Sequence, residues 1–494
     1  MQGVQIMIAF SLFVGYNMKY IVEREIIMDE NRENRQTNPR RRPRSKMQIF
    51  KEAYLPVIIA GAAALMLFIT LIGGIVRAVQ NAKYKSQQEA QAALAAQQAQ
   101  EQLDNEAASL MAKADALAKQ YDYTSAVSTL QAFSGDIAAY PELSQRITAY
   151  TEAQSSLILW DDPTKVTSLS FQLLIADQVR AFSNETYGTS YNKNYVTCGE
   201  FSKILQQLYE NGYILVSLSD ITDENGNLEI YLPNGKKPLL LTQTNVNYNT
   251  YMIDSDGDKL PDAGGAGFAS KLVLDDSGKI ACEMVDSTGT TVTGAYDLIP
   301  ILEDFIAAHP DFSYQGARAV IAVTGYNGLF GYRTDPNSLD YFGKAYHDEQ
   351  VAGATKITNA LKELGYELAC YTYENEPYGD YTVQQITDEM DKWAVEVEPI
   401  LGKTDIFVFS RTSDIAQNNT AYSGEKFAAL RSAGFTYYLG FCLEGERYYS
   451  AYTDHIRMGR VLVTGYNMAY NQQWFEGIFD AASVLDRARG TVPG

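Results

Sequence analysis

Few side chains in this sequence are of the kinds from which catalytic centres are usually built. There are three histidines, His309, His347 and His455, and four cysteines, Cys198, Cys282, Cys370 and Cys442. The nearest two cysteines are 72 positions apart, so there is no C-x-x-C pair and no zinc-ribbon spacing. Each sits in or near an apolar run, which reads as a buried free thiol; the sequence leaves a disulfide open. Oxygen ligands are better represented. The stretch MIDSDGDKLPDAGG places Asp254, Asp256, Asp258 and Asp262 around Gly257. Alternating carboxylates of this kind can converge on calcium at ~2.4 Å. Position twelve of an EF-hand loop is Gly265 here rather than Glu, so a solvated acidic turn is the competing reading. The segment KKPLLLTQTNVNYNTYM, Lys236 to Met252, presents the opposite case. Leu239, Leu240 and Leu241 read as a buried strand, and the ends of such strands are where α/β proteins place their working groups. Yet Thr242 to Tyr251 offer hydroxyls, amides and phenols, and no carboxylate, imidazole, amine or thiol.

The elements that must position these residues follow from the apolar pattern. From about Lys165 strands and helices alternate: VTSLSFQLLI (strand), TCGEFSKILQQLYENG (helix, with a capping box from Thr197 to Glu200), YILVSL and KPLLL (strands). KLVLDDSGKIACEMV reads as a hairpin turning at Asp276–Gly278. ARAVIAVTG, YELACYTY, TDIFVFS, FTYYLGF and RVLVTGY are further strands between helices, and a last helix is expected around FEGIFDAASVLDR. Continuous apolar strands separated by helices indicate a parallel sheet covered on both faces. About seven repetitions suit a closed or nearly closed β/α barrel. No dinucleotide or phosphate-loop glycine pattern is present.

Ahead of this domain, Tyr54 to Val76 contains no charged residue over 23 positions, and ~20 apolar residues suffice to cross a bilayer core. Arg40, Arg41, Arg42, Arg44, Lys46 and Lys51 precede it, and positive residues stay cytoplasmic. The expectation is a single-pass cell-membrane protein with a cytoplasmic N-terminus, an uncleaved anchor and an extracellular C-terminal domain. Residues 1–27 carry a short apolar run without a basic start, which fits a translation start at Met28 instead. Residues 1–53 then read as a basic, disordered tail, 54–77 as the membrane helix, 78–160 as a helical stalk with a hairpin, and 161–494 as the barrel domain. Leu103, Leu110 and Leu117 are seven apart. They mark either a coiled-coil seam or a helix packing on its neighbour. YDYTSAVSTLQAF supplies that neighbour, and the pair resembles one tetratricopeptide unit, a spacer or a docking piece for a partner protein. The net charge of −20 argues against a nucleic-acid partner, which would want a basic stripe. The 35 tyrosines are stiff and amphipathic, and suit contacts to sugars or proteins.

Eight blocks occur in an order that is informative. They are VTSLSFQLLIADQVRAF, EFSKILQQLYENGYILVSLSDI, KKPLLLTQTNVNYNTYM, GFASKLVLDDSGKI, HPDFSYQGARAVIAVTGYNGLFGYRT, ALKELGYELACYTYEN, VEPILGKTDIFVFSRTSDI and RMGRVLVTGYNM. Together they resemble the membrane-anchored polysaccharide deacetylases of Gram-positive bacteria, a branch of carbohydrate esterase family four, from about Asp161 to the C-terminus. The resemblance implies a (β/α) barrel of the polysaccharide-deacetylase type. It also implies a zinc ion held by one Asp and two His, a second Asp as general base and a His as general acid. At the positions of the Asp pair this chain has Thr244 and Asn245; at the His-x-x-x-His pair, Tyr371 and Asn375. Arg411 in FSRTSDI stands at the position of a histidine, and Gln172 where relatives often carry another. His309 belongs to an HPDF turn, and His347 and His455 fall in segments that read as surface.

The expectation is therefore a deacetylase-like protein without zinc or catalysis that binds cell-wall polysaccharide or peptidoglycan through Gln172, Tyr371, Tyr373, Asn375 and Arg411. Tyr371 and Tyr373 are expected on either side of one strand-end position. Two alternatives stand beside this: an active metal-dependent N-deacetylase with rearranged ligands, and a tethered scaffold for a partner protein.

Overall fold

A computed structural model describes Tyr16 and residues 45–160, 162, 166–221, 229–417 and 420–494. The N-terminal apolar run, the Met28 start, Arg40 to Arg44 and the Asp161 boundary lie outside the described residues. The chain divides into two compact units, Met1–Ala99 and Gln100–Gly494.

In the first unit a helix, α1 (Leu55–Lys119), begins after a short π-helical turn, Phe50–Tyr54. It is long and apolar enough to cross a membrane. Every side chain from Leu55 to Ala99 is exposed, so its leucines and isoleucines find no protein partner among the described residues.

In the second unit the end of α1 packs against α2 (Tyr123–Gln131) and α3 (Pro141–Ser155). Leu103, Leu110 and Leu117 all lie on a cluster of Ala107, Ala114, Ala126, Leu130, Phe133 and Leu143. The seven-residue spacing thus serves packing on a neighbour within the chain. Asp122 caps α2 through the Ser125 N–H, and Asp115 pairs with Arg146 on α3 at 2.9 Å.

The remainder is built on seven parallel strands. They are β1 (Thr167–Phe171), β2 (Lys237–Thr244), β3 (Val320–Val323), β4 (Glu367–Cys370), β5 (Ile406–Val408), β6 (Tyr437–Phe441) and β7 (Ile456–Leu462). Each pairs with the next, and β7 pairs with β1, so the sheet closes into a barrel in sequence order. The strands are buried on both faces, which explains their near-continuous apolar composition. Alternate residues sort into two clusters. Leu240, Val320, Ala322, Ala369, Val408, Leu439 and Met458 face the lumen together. Leu239, Leu241, Ile321, Val323, Phe407, Tyr438 and Val461 pack outward with the helices. Those helices include α4 (Cys198–Glu210), α5 (Leu298–Ala308), α6 (Lys344–Leu364), α7 (Val383–Glu396) and α8 (Gly424–Ser432). The capping box read at Thr197–Glu200 is formed.

Three expectations need correction. The hairpin at Lys271–Leu274 and Ile280–Val285 gains a third antiparallel strand, Thr291–Gly294. The single last helix is instead three short turns, Gln472–Phe475, Ala481–Val484 and Arg487–Arg489. Gly477 breaks the run at φ 73°, and Asp480 restarts it by accepting from the N–H groups of Ala482 and Ser483. His455 is not a surface residue. It is 4% exposed, stacked between Tyr452 and Tyr422 at the start of β7, where an antiparallel strand, Tyr449–Ala451, folds back on it. All four cysteines are free thiols, three of them buried.

Candidate functional site

The loops after β2, β3, β4 and β5 meet at the C-terminal rim of the barrel. They hold eight of the twelve described non-glycine residues with positive φ: Asn245, Tyr248, Asn327, Phe330, Thr372, Asn375, Arg411 and Thr412. Left-handed backbone in bulky residues is strained and persists where the surroundings fix it, most often at functional sites. The fixing groups are visible. Asn247 is fully buried; its amide donates to the Thr324 carbonyl at 2.8 Å and accepts from the Thr324 N–H at 3.0 Å. Arg333 donates to the carbonyls of Asn247, Asn327 and Tyr248, and burial pulls its guanidinium down to about 10. Asp297, also fully buried, accepts from Tyr248, Gln243 and the Leu174 N–H. Burial raises its carboxyl above the ordinary range. A stability consequence follows. A raised folded-state pKa means that this group's contribution is largest below the unfolded value and is lost as pH rises through the folded value. Asp297→Asn, if the rim tolerates the amide, should flatten the corresponding part of a stability profile taken from pH 4 upward.

Within this frame Thr244 ends β2, buried, with its hydroxyl on the Phe171 carbonyl at 3.3 Å. Asn245 follows it at φ 59° and lies 3.4 Å from the Asn249 amide. Tyr371 follows β4 directly, with its hydroxyl near the Thr244 side chain and the Arg411 backbone N–H. Burial raises its pKa. The side chains at the ends of β2 and β4 thus approach one another at the rim. Asn375, at φ 58°, accepts on its carbonyl from Arg411 Nε at 2.7 Å. Arg411 lies 3.7 Å from Glu376 and keeps more than half of its side chain in solvent. Gln172 follows β1, half-buried.

Tyr373 is a correction. Thr372, at φ 53°, turns the chain after β4, so Tyr373 does not share the mouth with Tyr371. It is buried against α7 with its hydroxyl on Glu396, and its N–H donates to Glu389 at 3.0 Å. Its ring fills the space that a Cβ on Gly325 would need, 2.0 Å away. Gly325→Ala should therefore cost about 1–3 kcal/mol through overpacking, read as a lower urea midpoint.

The donor set does not fit zinc, which takes imidazole, thiolate or carboxylate. Thr244, Asn245, Tyr371 and Asn375 supply none of these, and Arg411 adds a positive charge. Among the described histidines, His455 lies at the opposite end of the barrel, His309 packs on Tyr209 and Phe305, and His347 contacts the Thr334 carbonyl. In the acidic loop, Asp254, Asp256 and Asp262 come together, with ligand oxygens within 4.8 Å of one another. Asp258 is not part of that group; its carboxylate turns to the Leu260 N–H at 2.7 Å. The carboxylates of Asp254 and Asp262 are already engaged by backbone N–H groups of the same loop.

The rim also contains aromatic residues not singled out from the sequence. Tyr187 and Tyr251 stand 5.4 Å apart, ring to ring, and with Tyr326 they are substantially exposed. The Tyr251 and Tyr195 hydroxyls lie near one another, and Tyr195 lies in the field of Tyr371. Asn327, next to Tyr326, accepts from Thr250, next to Tyr251. The signal was the tyrosine excess and the phenols in NYNTYM. A separate groove of ≈ 660 Å³ runs between the helical hairpin and α5, lined by Lys113, Leu117, Gln120, Ile306, Pro310 and Arg318.

No family model matches the chain, and no curated protein matches it. Among solved structures it is similar to the Streptococcus pyogenes deacetylase PplD in complex with acetate, at 13% identity and TM-score 0.34, covering 62% of this chain and 95% of that one. It is also similar to the Bacillus anthracis protein BA0330, assigned as a polysaccharide deacetylase. There the identity is 10% and the TM-score 0.33, with 65% of this chain and 69% of that one covered.

Proposed function

We propose that this chain is a membrane-anchored, outward-facing polysaccharide deacetylase-like protein that binds cell-wall glycan at the barrel rim and does not hydrolyse it. The observation that carries the loss of hydrolysis is the donor set at the strand ends: Thr244, Asn245, Tyr371, Asn375 and Arg411 bring no carboxylate, imidazole or thiolate. The Thr244 hydroxyl is engaged by the Phe171 carbonyl, and none of these side chains is suited to hold a metal that would lower the pKa of a water. Glycan binding is supported by the rim lining. Amides and hydroxyls match sugar hydroxyls, and the exposed faces of Tyr187, Tyr251 and Tyr326 match the apolar face of a pyranose. Arg411 retains exposed guanidinium donors for a carboxylate such as the lactyl group of a muramic acid.

Titration of soluble muropeptides into the detergent-solubilised chain tests this. Saturable binding is expected, weakened about tenfold by Tyr251→Ala or Tyr326→Ala as an aromatic anchor is lost. Arg411→Ala should weaken acidic muropeptides more than their amidated forms. No saturable binding, or variants that bind like the parent, would replace this reading with that of a scaffold docking a partner in the groove by the hairpin.

The orientation rests on the uncharged run in α1 and the basic residues ahead of it. Protease added to intact protoplasts should remove the barrel and spare the N-terminal tail. A protected barrel would reverse the topology.

A further inference from the structure

Arg460 is 1% exposed and lies on β7 in the same phase as the lumen residues Ile456 and Met458. Its guanidinium makes three hydrogen bonds, all to neutral acceptors. Nε donates to the Gly440 carbonyl at 3.1 Å, Nη1 to Ser170 Oγ at 2.8 Å and Nη2 to the Phe409 carbonyl at 2.6 Å. A guanidinium has five N–H donors, so two remain. Among the described residues no carboxylate is in hydrogen-bond contact with it. Asp414, whose field reaches it, is engaged by Arg457 at 2.9 Å and Tyr422 at 2.7 Å. An uncompensated buried charge is costly.

The neighbouring strands hold a second, independent sign. Ser168 Oγ on β1 and Thr242 Oγ1 on β2 are buried and have no hydrogen-bond partner. Both share the lumen phase of their strands with Val166 and Leu240. Thr242 pairs in register with Ser170, which Arg460 touches. Val461 pairs with Leu169, so Arg460 itself stands beside Ser168. Buried hydroxyls without partners mark a place where something else completes them. The wall is also thin. A barrel interior is normally filled by bulky branched side chains, but the lumen positions just above, on β3 and β4, are Ala322 and Ala369.

We infer that the barrel lumen binds one small inorganic anion of chloride size, held by Arg460, Ser168 and Thr242 beneath Tyr371 and Thr244. The anion supplies the counter-charge that the lumen lacks and accepts from both orphaned hydroxyls. Its role is to hold β1, β2 and β7 together under the rim. The inference is independent of whether the rim binds glycan.

Thermal unfolding of the full chain in detergent, at fixed ionic strength, compares sodium chloride and bromide with sodium gluconate, whose anion is too large to enter. A saturable rise in midpoint with chloride and bromide is expected. Thr242→Val and Ser168→Ala keep the side-chain volume nearly unchanged, and each should weaken the apparent anion affinity about tenfold, the worth of one hydrogen bond to a charge. Arg460→Met should abolish the dependence. If that variant fails to fold, the hydroxyl variants still decide. Crystals grown in bromide should show an anomalous peak between Arg460, Ser168 and Thr242. Equal midpoints in chloride and gluconate, or lumen density without anomalous signal, would overturn the anion in favour of water.

Discussion

Replacing Arg489 with methionine is expected to destabilise the barrel unit by about 3–5 kcal/mol, because it leaves a buried carboxylate without its partner. Arg489 lies in the short turn Arg487–Arg489. Here it is 4% exposed and forms a two-armed pair with Glu200, Nε to Oε1 at 2.7 Å and Nη2 to Oε2 at 2.6 Å. Its remaining donors reach the carbonyls of Asn192 and Tyr195. Glu200 is at the same time the third residue of α4, closing the capping box on the Thr197 N–H. One side chain therefore ties the Arg487–Arg489 turn to the start of α4. The double variant Glu200→Gln/Arg489→Met should recover much of the loss, since glutamine keeps the capping box and removes the stranded charge. The urea midpoint of the detergent-solubilised chain measures both. A change of less than about 1 kcal/mol for Arg489→Met would mean that the pair is a solvated surface contact.

The second large effect is a gain of function. A four-site variant with Thr244→Asp, Asn245→Asp, Tyr371→His and Asn375→His is expected to bind about one equivalent of zinc that the parent does not retain, since it restores the nitrogen and carboxylate donors that zinc requires. The backbone favours this outcome. Asn245 and Asn375 sit at φ 59° and 58°, a region that Asn, Asp and His occupy several-fold more readily than other non-glycine residues. The variant also replaces the bulky Tyr371, whose hydroxyl lies near Thr244, with a smaller imidazole. Zinc content after dialysis against a weak chelator reads the result. Failure to bind zinc in a folded variant would mean that the rim geometry, and not only its side chains, departs from that of a metal site.

Much of this architecture is written in the sequence in a form that local physics can read. Seven apolar runs separated by amphipathic helices define a parallel barrel because strands buried on both faces need no polar alternation. Thr197 and Glu200 announce the start of α4 for the reason that they cap it. Thr244 and Tyr371 are legible at strand ends because each follows directly from its apolar run. The place of Tyr373 is not legible, because the two-residue strand period ends at Cys370 and Thr372 then enters a left-handed conformation that no residue type there announces. His455 read as surface because TDH is polar, whereas a hairpin strand far shorter than the helices folds it among tyrosines. The rim tyrosines Tyr187, Tyr251 and Tyr326 come from three separate segments, so their convergence depends on barrel closure and leaves no local pattern.

The central claim is that this rim holds a sugar polymer without cutting it. The direct measurement is acetate release from N-acetylated cell-wall glycan by the unaltered full chain, with zinc supplied and the zinc content of the same sample determined. The account predicts no acetate above the protein-free control and no retained zinc, while the glycan still binds saturably. Zinc-dependent acetate release by the unaltered chain would contradict it.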